Sequence, residues 1–382
     1  MRHGNTTQDH MALLKACTKK KDLYKGTRLH DDIIKRGLLE KNPYLGSSLI
    51  NMYARCGMLT KAQQVLEEIP TRNVVCWNAL ISGYSREGKI HEALNGLNQM
   101  KYEGFCPNGI TYTSILNACG KTRAIHKGKQ IHDEILNRGL LEDDIMLGTA
   151  LVDMYAKCGF LCIAQKVLKE QHIRDVVSWS ALITGFAQQG QGHEALYCFE
   201  EMQSEHLSPD AITLASILKA CGTIGAIDKG KHIHEEIVRL ALLGDDIVLG
   251  NALVDMYVKF GMLEKAREVL EDLPYRNVIT WSTLIAGFAQ HGRGHEALHH
   301  FQQMQSEGIS PNPVTLICVL NACGSMGAIN KGKQLHSEIL SRGLLDTNMI
   351  LTTALVDMYA KCGFFAKAQQ VLEEHAIRHM IS

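Results

Sequence analysis

The segment ALVDMYAKCG, residues 150–159, recurs unchanged at residues 354–363 and almost unchanged, as ALVDMYVKFG, at residues 252–261. A more distant copy, SLINMYARCG, covers residues 48–57, so the copies follow one another at a constant interval of 102 residues. The leucine and the tyrosine of each copy are four positions apart, the spacing of one helical face. Each copy is therefore predicted to be a helix that turns these two residues toward a core.

The 102-residue interval divides into blocks of 36, 31 and 35 residues. Each block contains two amphipathic segments, such as SWSALITGFAQQG, which stops at Gly190, and GHEALYCFEEMQSEHL, which stops before Pro209. Neither helix of such a pair can bury its apolar face alone, so neighbouring pairs must stack. The prediction is an all-α fold, a right-handed α-solenoid of helix-turn-helix repeats. The predicted blocks are residues 7–42, 43–73, 74–108, 109–144, 145–175, 176–210, 211–246, 247–277, 278–312, 313–348 and 349–379, after a remnant at 1–6 and before the start of another block at 380–382.

The composition excludes several classes of protein. The chain has 382 residues, 46% hydrophobic and 21% charged, as in a folded globular protein. No apolar run approaches the roughly 18 residues of a membrane helix, and the start lacks the features of a signal peptide or a presequence. Lys and Arg equal Asp and Glu at 40 each, so net charge does not indicate a polyanionic partner. Four of the 12 cysteines occupy one place in the long blocks, which suits small buried side chains: Cys17, Cys119, Cys221 and Cys323.

Two segments resemble a zinc-binding motif and a phosphate-binding loop, but the details of each segment oppose that interpretation. The segment HEALH, from His295 to His299, matches the zinc-binding HExxH pattern, but the equivalent segments HEALY and HEALN lack the second histidine. The segment GAIDKGKH, from Gly225, lacks the final Ser or Thr of a phosphate-binding loop and follows a helix instead of a strand. No metal, cofactor or catalytic site is predicted, and the chain is not expected to be an enzyme.

Residues that recur at one place in the blocks are predicted to pack in the core or to cap helices. The aromatic set is Trp77, Trp179 and Trp281, and the histidine set is His30, His132, His234 and His336.

At a few positions of the block, the residue changes from copy to copy but stays within one chemical type. The last residue is Asn or Asp in ten of eleven blocks, and the fifth is Ser, Thr or Asn in eight of eleven. Helix capping explains only part of the first series, and packing remains an alternative for any single block. Such polar pairs suit the Watson–Crick edges of bases, with apolar second residues against the base faces. The candidate base-recognition residues are Ser47, Asn73, Asn78, Asn108, Thr113, Asp144, Thr149, Asp175, Ser180, Asp210, Asn251, Asn277, Ser282 and Asn312. The candidate base-sandwiching residues are Val75, Ile110, Met146, Val177, Val248 and Ile279.

Across residues 7–382 the blocks resemble pentatricopeptide repeats of the plant type that alternates long, short and standard motifs (PLS). The resemblance rests on ILNACGKTRAIHKGKQIH, ALVDMYAKCG and NALISGYSREGKIHEALNGLNQMKYEGFCPN. It implies binding of single-stranded organellar RNA in a mitochondrion or chloroplast, one nucleotide per repeat, for C-to-U editing or processing. It also implies editing-complex partners that supply deaminase function. E-type and DYW domains, common in such proteins, are not in this sequence, which is therefore expected to be a fragment.

The family's recognition code implies a target. Ser47 with Asn73 implies adenine, Asn78 with Asn108 a pyrimidine, and Thr149 with Asp175 guanine. Applied to the remaining readable pairs, it gives the core 5′-A-Y-(G)-G-G-N-Y-A-3′. The bracketed base belongs to the long block that ends in Asp144, where Asp143 is an alternative terminal residue, and long blocks follow the code poorly.

The sequence leaves other functions open and offers candidate contacts for the RNA backbone. The competing hypothesis is a tetratricopeptide-like scaffold for proteins, which block lengths of 36, 31 and 35 residues oppose because those repeats keep to 34. A decayed copy of a gene is a third hypothesis. Four lysines are candidates for the phosphate path, with solvated surface charge as the alternative: Lys127, Lys129, Lys229 and Lys231.

Overall fold

The computed structural model describes residues 5–41, 43–141, 144–244, 247–345 and 348–381. This part of the chain forms 23 α-helices and no β-strand, which confirms the predicted all-α class. It divides into two compact units, one ending at Gln189 and the other beginning at Gly190. The predicted block ends Asn42 and Asp246, and the alternative terminal residue Asp143, lie outside the described residues.

The first unit is a series of antiparallel helix pairs. Its helices are α1 (Asn5–Lys20), α2 (Leu23–Lys35), α3 (Leu38–Lys41), α4 (Pro43–Arg55), α5 (Leu59–Glu68), α6 (Val74–Arg86), α7 (Ile90–Tyr102), α8 (Gly109–Thr122), α9 (Ile125–Asn137), α10 (Ile145–Lys157), α11 (Leu161–Glu170) and α12 (Val176–Gln188). The first helix of each pair packs against the first helix of the next, in the order α1, α4, α6, α8, α10 and α12.

The second unit repeats this arrangement. Its helices are α13 (Gly192–Ser204), α14 (Ala211–Ile224), α15 (Ile227–Arg239), α16 (Ile247–Lys259), α17 (Leu263–Asp272), α18 (Val278–Gln290), α19 (Gly294–Ser306), α20 (Pro313–Met326), α21 (Ile329–Ser341), α22 (Met349–Lys361) and α23 (Phe365–Ile381). The first helices α14, α16, α18, α20 and α22 pack in sequence, so each unit has the stacked-pair organisation of an α-solenoid.

The decapeptide ends the first helix of each short block, and its apolar residues fill the core. In α10, Leu151 and Tyr155 are 0% and 2% exposed, which confirms the predicted orientation. Close approach of the next helix requires a glycine: a Cβ at Gly185 would lie 2.6 Å from Leu161 Cδ2 and 3.2 Å from Ala156 Cβ. The decapeptide is therefore both a helix and the surface on which the next pair packs.

The recurring histidines are packing residues, as predicted. In the first unit, Nδ1 of His132 lies 2.9 Å from the hydroxyl oxygen of Tyr155, and the two rings meet edge to face. In the second unit, His234 and Tyr257 repeat the contact at 2.8 Å. Burial lowers the pKa of His132 and of His234, which favours the neutral imidazole in both contacts. Each pair joins the second helix of a long block to the first helix of the following short block.

The last helix of the described chain is longer than its equivalents. Helix α23 continues to Ile381, whereas the equivalent helices α5 and α17 end at Glu68 and Asp272. Pro70 and Pro274 follow those two helices, but the equivalent helix α11 ends at Glu170 with His172 at that position, and the corresponding residue of α23 is Ala376. Proline is therefore not required to end this helix, and alanine at position 376 favours its continuation.

The two misleading motifs occupy ordinary helical positions. His295 and His299 are exposed on α19, and no group of three metal-ligating side chains occurs among the described residues. Gly225 is the left-handed C-cap of α14, so a helix precedes the second motif, as predicted. No helix in the described ranges is long and apolar enough to cross a membrane.

Candidate nucleic-acid interface

A row of apolar side chains is exposed at the starts of the first helices. These are the second residues of the predicted blocks and of their helices, and each is at least half exposed: Tyr44, Val75, Ile110, Met146, Val177, Ile212, Val248, Ile279, Val314 and Ile350. All six candidate base-sandwiching residues belong to this row. Single exposed apolar residues need no explanation, but an exposed set repeated at one structural position indicates a contact surface.

Eight of the last residues of the blocks, among those that the structure describes, are N-caps of the next helix. In each of them a side-chain oxygen accepts a hydrogen bond from the backbone N–H three residues later. The N-caps with this bond are Asn73, Asn108, Asp144, Asp175, Asp210, Asn277, Asn312 and Asn348. The cap therefore fixes one oxygen of each side chain and leaves its second polar atom to point elsewhere.

Three of the predicted pairs are brought together. Asn78 Nδ2 donates to Asn108 Oδ1 at 3.1 Å, and Thr149 Oγ1 lies 3.3 Å from Asp175 Oδ1. Ser282 reaches Asn312 through one intervening hydroxyl, that of Thr315. Each pair consequently presents two polar groups side by side between exposed apolar residues.

The other pairs are arranged differently. No hydrogen bond links the described side chains of Ser47 and Asn73, of Thr113 and Asp144, or of Asn251 and Asn277. The hydroxyl of Ser47 donates instead to the carbonyl of Tyr44. No described group donates to Asn251 Oδ1, which is buried. The fourth of these pairs is divided between the units: Ser180 lies in the first unit and Asp210 in the second.

An open groove runs past the first pairs of the first unit. Its volume is about 550 Å³, within the range of ligand-binding clefts. It is lined by residues of α1, α4, α6 and α8 together with Asn108, and includes Ser47, Val75, Asn78 and Ile110. Candidate recognition and sandwiching residues thus share one concave surface.

Two arginines supply positive charge to this groove. Arg55 and Arg86 line it, and neither forms an ion pair with a described residue. Burial lowers the pKa of Arg86, and the nearby charge of Arg55 lowers it further. The charge of Glu87 acts in the opposite direction but forms no ion pair with Arg86. Two close guanidinium groups favour binding of an anion, because an anion relieves their repulsion. An adjoining cleft is lined by Arg86, Lys121 and Lys157, and the last of these forms an ion pair with Asp153.

The sequence interpretation missed these cations and selected others. Lys127 and Lys129 lie on the second helix α9, and Lys129 stacks over the ring of Phe160. Lys229 lies on α15, where it pairs with Glu200. One pattern in the sequence could have indicated the arginines. The thirteenth residue is basic in each of the first five blocks: Lys19, Arg55, Arg86, Lys121 and Lys157.

Sequence comparisons identify the repeats. The profile described as "PPR repeat family" matches residues 72–121, 174–223 and 276–325, and that described as "PPR repeat" matches residues 47–74, 110–140, 251–278 and 351–374. A chloroplastic pentatricopeptide repeat-containing protein of Arabidopsis thaliana is 34% identical over 100% of this chain. A mitochondrial one from the same plant is 36% identical over 95% of it. The chain spans 62% and 52% of the length of these two relatives.

Solved structures share the fold. The crystal structure of the pentatricopeptide repeat protein PPR10 with an 18-nt psaJ RNA element matches 81% of this chain, and the match covers 47% of that chain. The TM-score is 0.68 and the sequence identity 22%. The structure of PPR10 from maize matches 96% of this chain and 63% of that chain, with a TM-score of 0.55 and 19% identity. Together with the repeat matches, which span more than half of the sequence, these likenesses establish that the chain belongs to the pentatricopeptide repeat family.

Proposed function

We propose that the chain binds single-stranded RNA in a sequence-specific manner, one nucleotide per repeat, through eleven repeats in long–short–standard order over residues 7–379. The observation that carries this proposal is the repeated exposure of one apolar residue beside one polar pair, as with Val75 next to Asn78 and Asn108. A flat polar ring with two apolar faces is complementary to such a surface. PPR10, which shares the fold, was solved with RNA.

Different side chains contact the bases and the phosphates of the RNA. Base faces pack on the second residues of successive blocks, while Watson–Crick edges meet the fifth and last residues. Phosphates lie nearest Arg55 and Arg86, whose charges are not neutralised by described side chains. Since net charge is zero, affinity depends on this local placement of cations instead of on a general positive field.

The biological setting follows from the relatives. Relatives that match nearly the whole chain include a chloroplastic and a mitochondrial protein, so we place the chain in one of these organelles. Its task there is to select a site for C-to-U editing or RNA processing. The chain acts as the recognition part and has no catalytic role, and a partner of the editing complex supplies deaminase activity.

A binding titration at fixed salt tests the function. An RNA carrying 5′-AYGGGNYA is expected to bind more tightly than the same RNA with adenine at the fourth and fifth positions, and more tightly than its DNA counterpart. Fluorescence anisotropy with labelled oligonucleotides gives the three Kd values. Equal, weak binding to all three would overturn the proposal and favour a protein-binding scaffold.

The salt dependence of binding tests the cationic path. Arg86→Gln is expected to make the slope of log K against log salt shallower by about 0.7, the value for one phosphate contact on a single strand. Base preferences are expected to stay unchanged, because this side chain lies beside the backbone path. The matched control is Lys127→Gln on α9, where no change in slope is expected. Equal slopes for Arg86→Gln and the unmodified chain would exclude Arg86 from the phosphate path.

A further inference from the structure

A buried hydroxyl lies behind several of the recognition pairs. It belongs to the third residue of the following block, and in every case it is 0% exposed. The residues are Thr111, Ser178, Thr213, Thr280 and Thr315. Their complete burial keeps these side chains from touching a ligand.

Thr111 orders both members of the pair in front of it. Its hydroxyl oxygen accepts from the backbone N–H of Asn108 at 3.1 Å. The same oxygen lies 2.6 Å from Asn78 Oδ1 and 3.1 Å from Asn108 Oδ1, so its proton is donated chiefly to Asn78. Because the oxygen of Asn78 is engaged, its amide nitrogen donates to Asn108 Oδ1. That oxygen also accepts from the N–H of Thr111 at 3.2 Å. The amide nitrogen of the exposed Asn108 is thereby turned outward as a donor, which suits the carbonyl oxygen of a pyrimidine.

Ser178 performs the same task for a carboxylate. Its N–H and its hydroxyl both donate to Asp175 Oδ1, at 2.8 and 2.5 Å. Its oxygen also lies 2.8 Å from that of Thr149, the fifth residue of the pair. One carboxylate oxygen is thus held inward, and Oδ2 is left as an outward acceptor for the N–H groups of guanine.

The second unit contains an equivalent arrangement. Thr315 donates from its N–H and its hydroxyl to Asn312 Oδ1, at 2.8 and 2.9 Å. Its hydroxyl oxygen lies 2.5 Å from that of Ser282, the partner of Asn312. Three different pairs, in two units, are therefore joined by the same third side chain.

Other junctions lack this hydroxyl. At the start of each short block the third residue is leucine, and Leu147 offers Asp144 only its backbone N–H, at 3.1 Å. At the start of α6 the third residue is Cys76, which offers Asn73 its backbone N–H at 2.9 Å. The pairs in front of these residues, Thr113 with Asp144 and Ser47 with Asn73, are not hydrogen-bonded to each other. Asn251 and Asn277 are not hydrogen-bonded to each other either; there the hydroxyl of Thr280 holds Asn277 Oδ1 but does not reach Asn251.

We propose that the third residue of the following repeat is a specificity-positioning residue: its hydroxyl fixes the direction of the donors and acceptors that the recognition pair shows to a base. This proposal rests on the proposed RNA-binding function. A recognition group held in one orientation rejects the wrong base more strongly than one free to rotate, because rotation would restore the lost hydrogen bonds. The leucine junctions then account physically for poor base selection by long repeats.

Thr111→Val, which keeps the shape and removes the hydroxyl, tests the proposal. The ratio of Kd for adenine against pyrimidine at the second position of 5′-AYGGGNYA is expected to fall by about threefold to tenfold, the worth of one hydrogen bond. The ratio for adenine against guanine at the fourth position, read by Thr149 and Asp175, is expected to stay unchanged. An equal loss of affinity for all RNAs, or unaltered ratios at both positions, would overturn the proposal.

A second variant, which adds a hydroxyl instead of removing one, keeps the proposal testable if Thr111→Val does not fold. Cys76→Ser exchanges a buried thiol for a hydroxyl of nearly the same size, and the preference for adenine at the first position is expected to rise. No rise in that preference would contradict the proposal even if Thr111→Val failed to fold. If the unmodified chain selects no base at any position, the proposed function itself fails. If it does select bases but neither variant alters selection, only the positioning role fails.

Discussion

Replacing Trp77 with alanine is expected to lower the free energy of unfolding of the first unit by about 3–5 kcal/mol. The side chain is 1% exposed and belongs to α6, at a place filled by tryptophan in all three standard blocks. No described group accepts a hydrogen bond from its indole nitrogen, so the loss comes from packing alone. Collapse around the void is restricted, because α6 is held by helices on both sides.

Urea unfolding followed by far-UV circular dichroism measures the effect, and hydrogen exchange locates it. Amide protection is expected to fall most in α5, α6 and α7, since repeat proteins transmit stability between neighbours. Tyr102→Ala on α7 is the matched control, because that aromatic side chain is 93% exposed and its loss is expected to change stability by less than about 0.5 kcal/mol. Similar losses in the two variants would show that the tryptophan position does not organise the core.

The helix pairs were predictable because their causes are local. Apolar spacing fixes the buried face of α10, and an Asn or Asp before each first helix supplies its cap. Because the copies recur every 102 residues, their comparison shows which positions vary and which stay the same. The longer helix at the chain end also agrees with its local sequence, since position 376 is alanine, a good helix former.

The candidate site was only half predictable from the sequence. Its fifth and last residues stand out as a polar series in the sequence, and the exposure of Val75 and Ile110 agrees with a contact role. The hydroxyl of Thr111 could not be assigned this way, because its bond to Asn78 spans 33 residues and threonine is ordinary near a helix start. Arg86 was missed for a related reason: a basic residue has many places to point, and only packing places it in the groove.

Asp175→Asn is expected to reverse the base preference at the fourth position of the RNA core, from guanine to adenine. Oδ1 of Asp175 is held by Ser178, so the substitution alters mainly the outward atom, from an acceptor to an amide donor. A carboxylate accepts from N1–H and the exocyclic amine of guanine, whereas adenine N1 would oppose its lone pairs. An amide nitrogen donates to adenine N1 and faces the N1–H of guanine unfavourably. A contact of this kind is worth about 1–3 kcal/mol of discrimination.

The measurement compares Kd for RNAs that differ only at the fourth base, for the unmodified chain, Asp175→Asn and Asp133→Asn. Asp133 is exposed on the second helix α9, so its substitution repeats the charge change away from the groove. A lost negative charge alone would tighten binding to both RNAs in both variants, because less phosphate repulsion remains. A base-specific reversal confined to Asp175→Asn therefore separates recognition from electrostatics. An equal shift for guanine and adenine would mean that Asp175 only caps α12, and that a base at this repeat is selected by another side chain.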